Sequence, residues 1–124
     1  MAKGRKLIQG IDTVILRVSN VEQSKEWFSN KIGFVSLFED AQMKLLLLDT
    51  NGPTSLTLWQ TDDVATAKRK TATFPIFKTT NAVALRTELL YRGVAASDLT
   101  EDDHVKYFQF HDIDGNVLEA CEVK

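Results

Sequence analysis

The chain has 124 residues, of which 15 are Lys or Arg and 17 are Asp or Glu, with a formal net charge of −2 and a pI near 5.6. That balance gives no sign of an electrostatic nucleic-acid partner, and no apolar run approaches the roughly 20 residues that span a bilayer. A 44% hydrophobic chain of this length buries about two-thirds of its unfolded surface, enough for one core.

The first residues, with Lys3, Arg5 and Lys6, form an expected fraying tail over 1–9, followed by a single domain over 10–124. No secretory signal is expected before the first strand, and the lone Cys121 cannot build an intrachain disulfide framework. Both features point to a reducing, cytoplasmic setting. Cys121 reads as a small core residue.

Ile11 to Val18 alternates, with Ile11, Thr13, Ile15 and Arg17 on one face and Asp12, Val14, Leu16 and Val18 on the other. That is a strand with two covered faces. Asn20 and Gln23 make a capping-box variant. A helix follows to about Lys31, burying Val21, Trp27, Phe28 and Ile32, and Gly33 stops it. Three strands come next, at about Phe34–Glu39, Met43–Asp49 and Ser55–Gln60, with Asn51-Gly52-Pro53 as the turn before the last. Thr61 to Thr71 is polar and reads as a surface connection.

The pattern then restarts. Phe74–Thr79 is an expected strand, Asn81 sits where Asn20 sat, and Ala82, Leu85, Leu89 and Leu90 form a helical stripe closed by Gly93. A short strand near Val94–Ala96, an acidic loop at Asp98–Asp103, a strand at Val105–His111 and a last strand complete the chain. The order β-α-β-β-β thus occurs twice, over about 10–60 and 73–123, an internal duplication. The fold class is α+β: two tandem βαβββ units forming a curved, partly open barrel-like sheet with helices outside. A cavity is expected on the concave side.

The chain ends in Asp112-Ile113-Asp114-Gly115-Asn116, a turn that closes on its own backbone, and then an alternating strand. Val117, Glu119, Cys121 and Val123 share one of its faces. Glu119 is therefore a carboxylate on an otherwise apolar face, which is costly unless it is paired, hydrogen-bonded or bound to a metal. The simplest partner is a hydroxyl such as Thr13 or Thr57; in an apolar cavity Glu119 could instead be a general base.

Two tandem βαβββ units ending in Asp-x-Asp-Gly-Asn-x-x-Glu resemble the vicinal oxygen chelate superfamily. That group holds glyoxalase I, bleomycin-resistance proteins, fosfomycin-resistance transferases and extradiol dioxygenases. The resemblance covers about Gly10 to Val123 and rests on Ile11–Val18 with its helix through Gly33-Phe34, and on Asp112–Glu119. It implies four inward metal-ligand positions, which fall on Thr13, Thr57, Phe74 or its neighbour Pro75, and Glu119. Only Glu119 retains a ligating group, and a divalent metal needs three or more imidazole, thiolate or carboxylate donors. His104 and His111 do not replace the missing ones. No cofactor is therefore expected, and a divalent metal is disfavoured, with Glu119 its one ligand if any.

The resemblance also implies a ligand-binding role for Arg17, at the position of an arginine in glyoxalase I, and for Tyr107 and Gln109 beside Glu119. Trp59, on the face of Thr57, suits stacking on a flat ligand. Each of Trp59, Phe74 and Tyr107 alone is more often ordinary core, and the plain reading of Arg17 is a surface ion pair. The expectation is a protein that binds a small aromatic or anionic molecule as a homodimer, with Glu119 as the candidate catalytic residue should there be turnover. The alternative is a metal-dependent lyase, thiol transferase or extradiol-type dioxygenase using Glu119 and an unrecognised ligand set. A third reading is a structural dimer with a collapsed cavity.

Overall fold

A computed structural model of the chain describes residues 7–63 and 72–124. The basic tail and most of the polar connection at 61–71 lie outside them. The first unit is β1 (Thr13–Val18), α1 (Val21–Ile32), β2 (Val35–Asp40), β3 (Leu45–Asp49) and β4 (Ser55–Gln60). The second is β5 (Ile76–Lys78), α2 (Ala82–Tyr91), β6 (Thr100–Glu101), β7 (Val105–His111) and β8 (Val117–Val123).

Each unit makes its own mixed sheet, ordered β1-β4-β3-β2 and β5-β8-β7-β6, and no barrel closes. In both, the first strand runs parallel to the last and the remaining pairs are antiparallel. A parallel pair needs a crossover, and the helix supplies it. β1 starts two residues later than its alternation suggests, leaving Ile11 exposed, and β5 is confined to Ile76–Lys78. The predicted strand near 94–96 is a single bridge from Ala96 to Phe110.

The helices begin where the side chains dictate. Asn20 accepts a bond from the Gln23 amide at 3.0 Å, and Asn81 one from Ala84 at 2.9 Å. Gly33 closes α1 in the left-handed region at φ 84°, where its amide reaches the carbonyls of Phe28 and Ser29. That conformation is open to glycine at little cost. In α2 the buried residues are Ala82 and Leu89, whereas Leu90 is exposed. Neighbouring helical residues are about 100° apart, so Leu89 and Leu90 cannot share the packed face.

Each helix covers one face of its sheet. Under α1 lie Leu16, Val18, Leu46, Leu48, Leu56 and Leu58; under α2 lie Phe108, Phe110, Leu118 and Ala120. The aromatic contacts Phe28–Phe34, Phe34–Phe77 and Phe77–Phe110, with centroids 6.2, 5.4 and 6.4 Å apart, carry this core across from one unit to the other. The helix C-termini meet as well. Arg92 Nη1 donates to the Lys31 carbonyl at 3.1 Å, and Lys31 Nζ donates to the Arg92 carbonyl, which places cations at orphan helix carbonyls. The units are therefore joined along their helix side.

Candidate functional site

On the helix-distal face of the first sheet, parallel pairing sets Thr13 opposite Ser55, Ile15 opposite Thr57 and Arg17 opposite Trp59. β3 adds Leu45 and Leu47, and β2 adds Phe38. Thr13 Oγ1 donates to the Ser55 carbonyl at 3.1 Å and lies 2.7 Å from Thr57 Oγ1. Thr57 is only 5% exposed. Arg17 is not the expected surface ion pair. Its guanidinium lies 4.8 Å from the centroid of Trp59, while Nε and Nη2 donate to the carbonyls of Trp59 and Gln60 at 3.2 and 3.3 Å. A cation over an indole contributes electrostatically as well as through contact.

The helix-distal face of the second sheet carries Glu119, Cys121, Tyr107 and Gln109, with Gln109 opposite Glu119 and Tyr107 opposite Cys121. Glu119 is 8% exposed, and its Oε1 accepts from Gln109 Nε2 at 3.2 Å. The expected partner, Thr13 or Thr57, is thus corrected to Gln109. The two threonines belong to the other sheet and satisfy each other, whereas register puts the Gln109 amide directly across from the acid. The Glu119 amide donates to the Pro75 carbonyl at 3.1 Å, so Phe74 lies just ahead of β5, half-buried. Cys121 is half-buried on this face rather than part of the core. His104 and His111 are exposed, away from Glu119 in the register.

The acidic turn has a structural task. Asp112 is buried and accepts from the amides of Asp114 and Asn116 at 3.0 and 2.8 Å and from Asn116 Nδ2 at 3.0 Å. Burial pushes the pKa of its carboxyl up, against the opposing pull of the Asn116 and Asp114 bonds. From this turn Asp114 accepts the Ser19 amide at 3.2 Å, and Asn116 Nδ2 donates to the Arg17 carbonyl at 3.1 Å. The second unit's last corner thereby holds the end of the first unit's first strand. Sequence reading sees the turn but not this grip, because a long-range contact leaves no local pattern.

Neither helix-distal face is covered within the described residues. Ile15, Phe38 and Ile76 are 50%, 55% and 56% exposed. A separate cleft of about 430 Å³ lies beside the start of α1, between Asn20, Glu39, Asp40, Lys44 and Gln60.

Searches with the sequence find no matching family model and no matching curated protein. Solved structures do match. A glyoxalase family protein from Enterococcus faecalis superposes with a TM-score of 0.78 at 24% identity, covering 94% of this chain and 100% of its own. An antibiotic binding protein from Streptomyces sp. CB03234 gives 0.80 at 21%, covering 97% and 100%. A glyoxylase/bleomycin resistance protein/dioxygenase domain from Frankia sp. EAN1pec gives 0.76 at 20%, covering 94% and 99%. The chain has the vicinal oxygen chelate fold.

Thr57 and Glu119 are equivalent positions, each on the last strand of its unit and each opposite an isoleucine of the first strand, Ile15 or Ile76. Thr13 and Thr57 offer hydroxyls bound to each other, Phe74 offers none, and Glu119 is engaged by Gln109. Among the described residues no group of three or more His, Cys, Asp or Glu could hold a metal ion. One carboxylate and two hydroxyls do not fit a first-row divalent metal. Nor is any described helix long and apolar enough to cross a membrane.

Proposed function

We propose that the protein binds a small, flat organic molecule without a metal. The binding cavity forms where the helix-distal face of the first unit meets that of the second unit of another copy, in a homodimer. One observation carries this reading. Two helix-distal faces, one with Thr13, Thr57 and Trp59 and the other with Glu119, Gln109 and Tyr107, expose Ile15, Phe38 and Ile76 among the described residues. Apolar side chains left in water on both faces favour burial against a partner. A second copy supplies each face with the complementary unit while keeping a two-fold, closed assembly. That an antibiotic binding protein shares the fold supports binding as an activity this scaffold can perform, and fold by itself does not choose the ligand.

Static light scattering at micromolar concentration is expected to give twice the 14.0 kDa chain mass; a monomer mass would overturn the shared cavity. Chelator treatment is expected to leave the melting temperature unchanged. Stoichiometric Mn, Ni, Zn or Fe in the purified protein, or stabilisation on adding one, would overturn the metal-free reading. Turnover of a substrate that is abolished by Glu119→Gln would replace binding by catalysis, with Glu119 as the proton-transferring group.

A further inference from the structure

The hydroxyl pair on the first unit has a direction. Thr13 has one hydroxyl proton, and giving it to the Ser55 carbonyl at 3.1 Å allows both contacts of this hydroxyl to be hydrogen bonds. The 2.7 Å contact with Thr57 can then be a hydrogen bond only if Thr57 donates to Thr13. The reverse assignment makes one bond instead of two and strands the proton of a side chain that is 5% exposed, which is costly. With that assignment Thr57 turns lone pairs, and no proton, toward the helix-distal side. At the equivalent place in the second unit stands Glu119, whose Oε1 accepts from Gln109 and whose second oxygen is also an acceptor. The cation on the first unit's face, Arg17, is folded over Trp59 with Nε and Nη2 on backbone carbonyls. On the second unit's face the cation is Lys78, an exposed residue of edge strand β5.

We propose that the site selects ligands that donate hydrogen bonds, a hydroxyl or an ammonium on a flat apolar body, and rejects anions. This rests on the binding reading above and replaces the anionic ligand among the sequence expectations. In the shared cavity proposed above, acceptors from both faces would reward a donor, and a ligand carboxylate set against Glu119 would add like-charge repulsion.

Four probes share one ring system and differ in the head group: 2-naphthol, 2-naphthylmethylammonium, 2-methoxynaphthalene and 2-naphthoate. Calorimetric titration of the full-length protein is expected to rank naphthol and the ammonium compound at least about ten-fold tighter than naphthoate, with the methoxy compound between. Glu119→Gln should erase most of the preference for the ammonium probe, and Thr57→Val should weaken naphthol more than methoxynaphthalene. Naphthoate binding as tightly as the ammonium probe would overturn the donor rule while leaving a binding site in place. Failure of all four to bind would overturn the binding reading itself, and the donor rule with it. The ranking in the unaltered protein needs no variant to fold.

Discussion

The two units follow one chain path with opposite allocations of bulk. Phe28 and Leu89 occupy equivalent buried positions in α1 and α2. The sheet face under α1 is leucine and valine, whereas the face under α2 has Phe108 and Phe110 beside Leu118 and Ala120. The aromatic side chain is on the helix in one unit and on the sheet in the other. Close packing requires that facing volumes add up, and it is indifferent to which layer supplies the larger residue. The helix-distal faces differ in the same positional way, with Thr57 in one unit and Glu119 in the other. Duplication thus fixes where side chains stand, while their identity sets each unit's packing and chemistry.

The sharpest way to break that comparison is to remove bulk from the helix layer. Phe28→Ala should cost about 3–5 kcal/mol, because it deletes a fully buried ring from the core. Leu89→Ala should cost less, about 2–4 kcal/mol, since part of the bulk at that contact is on the sheet. Urea unfolding midpoints measure both. A larger loss at Leu89 would contradict the exchange of bulk between layers. The Phe28 variant should also loosen the junction between units, because its ring continues through Phe34 to Phe77.

A second comparison concerns the helix starts, which the units share. Asn20→Ala and Asn81→Ala should each cost about 1 kcal/mol and by similar amounts. Both side chains accept one amide bond, at 3.0 and 2.9 Å, from equivalent extended cap positions. Thermal melting of the two variants tests this. A several-fold difference between them would show that tertiary context, rather than the cap bond, governs one of the helices.

These caps show what is legible in the chain. Asn20 with Gly33 and Asn81 with Gly93 act through residues a few positions apart, so helix limits and the duplication can be read directly. Alternation likewise gives β7 and β8 their full extents and places Gln109 and Glu119 on like faces. What escapes reading depends on register and distant contacts. Glu119 takes Gln109 as its partner because residue 109 falls opposite residue 119 and no other. Arg17 lies over Trp59 because β1 and β4 pair in parallel with those two abreast. Asp114 and Asn116 reach Ser19 and Arg17 across about a hundred residues of sequence. The exposed Leu90 is misread in a different way, since a run of apolar residues in α2 hides which of two adjacent leucines faces the sheet.

The smallest effect separates the turns that join the last two strands of each unit. In the first, Asp49 Oδ1 accepts one amide bond, from Asn51 at 2.7 Å. In the second, Asp112 is buried and accepts three bonds, and burial raises its pKa above the ordinary 3.8. The folded protein therefore holds this proton more tightly than the unfolded chain does. The stability contributed by protonating Asp112 is full below 3.8 and is lost as pH rises through the higher folded value. Asp112→Asn keeps an acceptor oxygen for the turn amides but does not titrate. The stability difference between the unaltered protein and this variant should move toward the unaltered protein as pH is lowered toward 3.8. The lowered pKa values of Glu101, from its bond to Lys124, and of Asp102, from the His104 and Val105 amides, act in the opposite direction. They are present in both proteins and cancel in the difference. Urea titrations of the pair across this pH range measure it directly. A difference that stays flat, or that moves toward the variant at low pH, would mean that the turn bonds outweigh burial at Asp112.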